Sequence, residues 1–293
     1  MRARTRAKNE IHAALVRCLK AKPPVSDLFG VKGRQWLQDQ TFPTAEQETV
    51  DQALRQVAFL DSEIAQVEQL IAADALSWPE VKRLMTVPGV NVIVAATFIA
   101  AVGDIARFPD RRKLTGYLGL DPRVRQSGSA PATHGRSSKQ GSSSARHALV
   151  EATWSVVRQP GPLAGFYARV KARRGASIAI VAVARKLACL FWCLLTRSED
   201  YAFAQPSLTK KKMRRLELQA GAPKGQGGRS VWSTNDAMRK AERELALQAQ
   251  HAYERTVKDW QQKRGASATA GRASSGSSRE QVARQTQRPK SAL

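Results

Sequence analysis

L-M-T-V-P-G-V-N-V-I-V-A-A-T-F-I-A-A-V-G-D (84–104) leads into F-P-D-R-R-K-L-T-G-Y-L-G-L-D-P (108–122) and then R-V-R-Q-S-G-S-A-P-A-T-H-G-R-S-S-K-Q-G-S-S-S-A-R (123–146). The first half of this stretch is apolar enough to bury itself, and its breaks at Pro88-Gly89 and Gly103 cut it into helix-length pieces. The second half has almost no apolar residue and cannot form a core. It carries Arg123, Arg125, Arg136, Lys139 and Arg146 among seven serines, Ser127, Ser129, Ser137, Ser138, Ser142, Ser143 and Ser144. A cationic, hydroxyl-rich loop held between packed helices is suited to gripping a phosphate backbone.

The rest of the chain agrees with a polyanionic partner. Lys and Arg number 48 against 24 Asp and Glu, a net charge of +24 in 293 residues. Such a surplus points to nucleic acid before an anionic membrane surface, since no segment joins strong amphipathicity to lipid-facing aromatics. The three cysteines, Cys18, Cys189 and Cys193, are too few for a disulfide framework and suit a reducing cytoplasm. The basic N-terminus has no apolar core behind it and does not read as a signal peptide. The stretch 178–195 is apolar enough to raise a membrane question, but Arg185 and Lys186 at its centre argue for a buried helix.

Outward from the opening stretch the reading is all-α. Residues 1–43 form a basic helical segment. Ile11, Leu15 and Leu19 make a stripe on a helix over 5–20 that Pro23 and Pro24 end, and a short helix follows around Trp36. Thr44, with Glu46 and Gln47, resembles a capping box at the head of an arm over 44–75. Val50, Ala53, Val57, Leu60, Ile64, Val67 and Ile71 recur in that arm at heptad spacing, which fits either a coiled coil between protomers or a helix packed on its own domain. A compact helical domain over 78–203 opens with helix, P-G-V turn, helix, the outline of a helix-hairpin-helix. There Gly89 and Asn91 would present backbone amides to a phosphate, Asn91 taking the left-handed conformation. After the loop come helices over 145–158, 163–173 and 177–197, separated by Pro160-Gly161-Pro162 and Gly175. Residues 204–293 read as a basic, partly disordered tail. It holds the cluster Lys210, Lys211 and Lys212, a Gly-rich linker at 221–228, one charged helix capped by Thr234 or Asn235, and disorder beyond Arg264. This tail either binds nucleic acid or is a solvated appendage.

No metal-ligand spacing, phosphate-binding glycine loop or dinucleotide fingerprint occurs. His12, His134, His147 and His251 are scattered, and the acids of the first half lie mostly along the arm. By residue type alone Ser127 is one loop hydroxyl among seven. The order P-G-V, G-L-D-P, Q-S-G, G-R-S-S-K-Q-G, A-R-H-A-L-V and, at 179–188, A-I-V-A-V-A-R-K-L-A nevertheless resembles the C-terminal transposase domain of the insertion-sequence 110/116/902 family. The likeness extends upstream to the K-N-x-I-H and F-G-x-x-G-R-x-W-L segments, covering about residues 1–203.

The resemblance implies DNA strand cleavage and rejoining, with the serine of Q-S-G, Ser127, as nucleophile and Ser129 as its fallback. It implies DNA as partner, a structured guide RNA, and magnesium held by an N-terminal RuvC-like domain whose four acids have no counterpart here. No cofactor is expected in this chain itself. Homo-oligomerisation through the arm, a cytoplasmic, nucleoid-associated location and a truncated form are further expectations. The DNA-binding set is Gly89, Asn91, Arg123, Arg125, Arg136, Lys139, Arg146, Lys210, Lys211 and Lys212. Two other classes stay open: a non-catalytic nucleic-acid-binding remnant, and a coiled-coil assembly protein with an incidental basic surface.

Overall fold

A computed structural model describes residues 2–129, 131–223 and 236–262. They fall into two compact units, one running to Asp74 with Glu217–Ala222, the other formed by Ala75–Leu216 and the described residues from Pro223 onward. The described residues are helical apart from one two-stranded hairpin, so the fold is all-α.

In the first unit α1 (Arg2–Arg17), α2 (Val31–Gln38) and α3 (Thr44–Ser77) enclose a core of Ile11, Ala14, Leu15, Leu28, Leu37, Val50 and Ala53. Ile11 and Leu15 hold the stripe read from their spacing, but Leu19 is 91% exposed. The helix stops at Arg17, before the prolines, and Leu19 takes a positive φ of 50° while the Lys20 amide donates to the Leu15 carbonyl. That closing turn swings Leu19 off the apolar face. The capping box at Thr44 does not form. Thr44 is already helical, the Gln47 amide donates to the Pro43 carbonyl, and Glu46 instead accepts the Arg17 guanidinium at 2.8 Å, which holds the Glu46 carboxyl below its usual range.

The heptad pattern on α3 divides in two. Val50, Ala53 and Val57 are buried within their own unit, Val57 to 1% exposure, whereas Leu60, Ile64 and Ile71 are half-buried and Val67 is 53% exposed. An apolar repeat every three to four residues serves an intramolecular core and an intermolecular seam equally well, and here its first half serves the core.

The second unit is built round α9 (Ala176–Arg197). This helix packs against α4 (Pro79–Met85), α6 (Arg111–Tyr117), α7 (Ser143–Val156) and α8 (Pro162–Arg174), while α5 (Val92–Val102) lies on α4 and α7. Ala179, Ile180, Val183, Ala184, Leu187, Ala188 and Phe191 form its buried stripe, and Phe191 meets Phe98 of α5 edge to face at 4.9 Å. Although α9 is long and apolar enough to cross a membrane, it is the core helix of this unit. Arg185 and Lys186 leave its buried face, one for Asp121 at 2.9 Å and the other for the Phe166 ring.

Two readings of the sequence change. Residues 123–144 are not simply a loop: β1 (Pro122–Arg125) and β2 (Thr133–Ser137) pair antiparallel, Val124 opposite His134 and Arg125 opposite Thr133. The segment after 204 also holds two described helices rather than one, α10 (Pro206–Gln219) and α11 (236–262). Both dock in the second unit through contacts that apolar residues alone do not reveal. Glu242 accepts from the Ser207 amide and hydroxyl, Gln250 from the Gly161 amide, and Tyr253 from Arg169, while Leu216 and Ala246 are buried. The linker expected at 221–228, the cap at Thr234 or Asn235 and the tail beyond Arg264 lie wholly or mostly outside the described residues.

Candidate nucleic-acid interface

The hairpin is fixed at its base by four of the sequence segments singled out above. Gly119 of G-L-D-P turns with φ +66°, and a Cβ there would collide with the backbone of Gln140 in K-Q-G. Gly141 likewise lies on the Tyr117 carbonyl. Backbones this close exclude any side chain, which is why both positions are glycine. The Ser138 amide donates to the Asp121 carbonyl (2.8 Å) and the Lys139 amide to the Gly119 carbonyl (3.1 Å). Asp121 binds Arg185 of the A-R-K-L run, and Arg146 of A-R-H-A-L-V donates to the carbonyls of Leu118 and Gly141 at 3.1 and 3.2 Å.

From that base the two strands carry Arg123, Arg125 and Arg136, Lys139 follows β2 at the base, all four are exposed, and residues 122–142 contain no acid. Arg123 donates to the Ser138 carbonyl across the hairpin at 3.3 Å, and the Thr133 hydroxyl donates to the Arg125 carbonyl at 3.0 Å. The serines sort by position. Ser142 caps α7 by accepting the Ala145 amide, Ser143 and Ser144 lie in α7, Ser137 ends β2 and Ser138 sits at the base. Ser127 and Ser129 remain at the tip, exposed, with Gly128 between them at φ +59° and open space on its Cβ side. A tip hydroxyl between cations can reach a phosphate, but it becomes a nucleophile only when a base or metal takes its proton.

The other expected contacts are placed differently. Gly89 turns at φ +89°, but its Cα faces the end of α7, where an added Cβ would stand 2.6 Å from the Val156 nitrogen. Asn91 is extended (φ −105°) rather than left-handed, and its side chain caps α5 by accepting the Val94 amide at 2.9 Å. The P-G-V turn is thus packed on protein at Gly89, and Asn91 is occupied as a helix cap. Arg146, half-buried on loop carbonyls, positions the hairpin.

Lys210 and Lys211 are exposed on α10, whereas Lys212 points inward. Its Nζ donates to the carbonyls of Met85 and Val87, both at 2.7 Å, at the end of α4. Burial pushes its amine down from 10.5 to about 8. Between those values the unfolded chain holds a proton that the folded chain does not. The contribution of Lys212 to stability therefore rises with pH across that window and is least below it. Lys212→Met leaves two carbonyls facing an apolar side chain. It is expected to lower the unfolding free energy by about 1–3 kcal/mol in urea titrations at about pH 9, and to flatten the pH dependence from about 8 to 10.5. DNA affinity should not change.

No three His, Cys, Asp or Glu side chains cluster among the described residues, and the acid nearest the hairpin in sequence, Asp121, is spent on Arg185. The described residues therefore do not fit a magnesium site of their own. The side chain of His134 lies outside the described set.

The Transposase IS116/IS110/IS902 family profile matches residues 81–168, which span α4 to α8 and include the whole hairpin. The chain is 32% identical over 145 residues to the "Transposase for insertion sequence element IS1111A" of Coxiella burnetii, covering 48% of this chain and 40% of that protein. It is 31% identical over 146 residues to the "Probable family 20 transposase" of Pseudomonas aeruginosa, covering 48% and 43%. Less than half the length of either relative is thus spanned. Over residues 81–168, which hold the hairpin and three of the four segments that pin it, the chain is similar to the IS116/IS110/IS902 transposase family.

Proposed function

We propose that this chain is the DNA-gripping part of an insertion-sequence transposase acting in DNA strand cleavage and rejoining. The observation that carries the reading is the hairpin: four exposed cations, no acid from 122 to 142, and a base held by the Asp121–Arg185 pair, Arg146 and two glycine contacts. Such a surface sets guanidinium and ammonium groups on successive phosphates without distorting the core. Lys210 and Lys211 are further exposed cations, on α10. The test is binding of duplex DNA at rising salt, read by fluorescence anisotropy. A steep fall in affinity is expected, and salt-insensitive binding, or none at low salt, refutes the proposal.

In the cleavage step Ser127 is the nucleophile and Ser129 its fallback. The Oγ–phosphorus bond forms as the bond from phosphorus to the leaving nucleoside oxygen breaks. The serine proton goes to a base outside the described residues, and a separate acidic domain holds magnesium. A structured guide RNA and a cytoplasmic, nucleoid-associated site of action complete this reading. The exposed tip, without a base beside Ser127 among the described contacts, favours the second reading as well, a chain that grips DNA and does not cut it.

Self-association is proposed through the part of α3 that its own unit covers only in part, the half-buried Leu60, Ile64 and Ile71 with the exposed Val67. Val57 does not test this seam, because an acid there would break the chain's own core. Ile64→Asp with Val67→Asp is expected to convert an associated parent chain to monomer in sedimentation velocity at micromolar concentration, with the helical content retained. A parent chain that is already monomeric makes α3 an intramolecular helix only.

A further inference from the structure

Away from the hairpin, α6 and α9 enclose a shallow cavity of about 360 Å³ lined by Asp110, Arg111, Arg112 and Trp192. Its one large apolar wall is the half-buried Trp192 ring. The indole Nε1–H donates to the Phe108 carbonyl at 3.0 Å, which fixes the plane of the ring before anything binds. Phe108 is itself buried and held between Tyr117, at 5.3 Å, and the Arg107 guanidinium, at 4.9 Å. The rim is cationic, with Arg111 and Arg112 both exposed. Asp110 is the single acid, and one of its oxygens already accepts the amides of Arg112 and Lys113 at 2.6 and 3.0 Å.

We infer that this cavity holds one unpaired nucleotide of DNA, its base stacked on Trp192 and its phosphate on Arg111 and Arg112. A fixed aromatic face beside guanidinium groups matches the two parts of a nucleotide. A paired base inside a duplex has both faces covered by its neighbours, so only an unpaired base can offer a face to Trp192. The volume lies near the lower end of the range of small-molecule sites, about 300–1,000 Å³, which suits one base and not a duplex groove. The free oxygen of Asp110 can accept an N–H from the edge of the base. The inference rests on the proposal that this unit engages DNA, and its test separates the two.

The full chain is titrated with three DNAs: a blunt duplex, the same duplex with a short single-stranded thymidine extension, and that duplex with an abasic extension of equal phosphate number. The thymidine extension is expected to tighten binding about tenfold over the blunt duplex, in line with the stacking of one base on an aromatic ring. The abasic extension should lose most of that gain. Trp192→Leu should abolish the difference between thymidine and abasic extensions while leaving blunt-duplex affinity unchanged. Arg111→Ala with Arg112→Ala should reduce the gain from either extension. Equal binding of the thymidine and abasic extensions by the parent chain overturns the inference, and needs no variant to fold. Failure to bind the blunt duplex overturns the DNA reading itself, and this inference with it.

Discussion

Replacing Arg123, Arg125, Arg136 and Lys139 together by alanine is expected to weaken duplex DNA binding by about a hundredfold at low salt, with the fold intact. Each phosphate that a cation neutralises contributes roughly −0.9 to the slope of log affinity against log salt, so four contacts account for about −3.6. The parent chain should thus lose about 150-fold in affinity from these four alone between about 50 and 200 mM salt, and the variant should show a correspondingly shallower slope. Circular dichroism of the variant should match the parent, because all four side chains are exposed and the hairpin is held at its base by other residues. An unchanged slope would move the grip elsewhere, with Lys210 and Lys211 the next positions to test.

Ser127→Ala carries the largest expected effect on chemistry. The chain alone, even with magnesium, is expected to leave an element-end DNA uncut, because none of its described residues forms the carboxylate cluster a metal needs. Supplied with a polypeptide that carries an acidic metal-binding domain, it is expected to cut. Ser127→Ala should then reduce cutting by about three orders of magnitude or more, as loss of a nucleophile does in enzymes that form covalent intermediates. DNA affinity should barely move, since one hydroxyl adds little to an electrostatic grip. Undiminished cutting by Ser127→Ala transfers the role to Ser129. Cutting by the chain alone would place the catalytic groups outside the set argued here.

Where the determinants are local, the sequence was readable almost to the residue. Pro160-Gly161-Pro162 and Gly175 separate α7, α8 and α9 within two residues of the expected ends, because proline and glycine act on the backbone of their own turn. The buried stripe of α9 follows from its apolar spacing in the same way. The hairpin escaped because a pairing of Val124 with His134 is non-local, and β1 and β2 together offer one apolar residue besides Pro122 to mark alternation.

Lys212 escaped for a different reason: in K-K-K-M-R-R every position reads as solvated. The signal that would have found it is helical phase, since Lys212 lies one turn before the buried Leu216 and one turn after the half-buried Leu208. Asn91 was assigned the wrong backbone because both a left-handed turn and a helix cap favour asparagine, and only the dihedral angles separate them.

Because the hairpin's two ends are clamped to each other at Gly119–Gln140 and Gly141–Tyr117, the residues between them can change without reaching the core. Lengthening such a closed segment is thermodynamically mild, about 0.6 kcal/mol for each doubling of its length. Changes of length between these clamps therefore cost the fold little, although Arg125 and Ser127 within them are tied to the proposed chemistry. A designer grafting a foreign segment onto this scaffold would cut at the same two places, where the backbone is already closed.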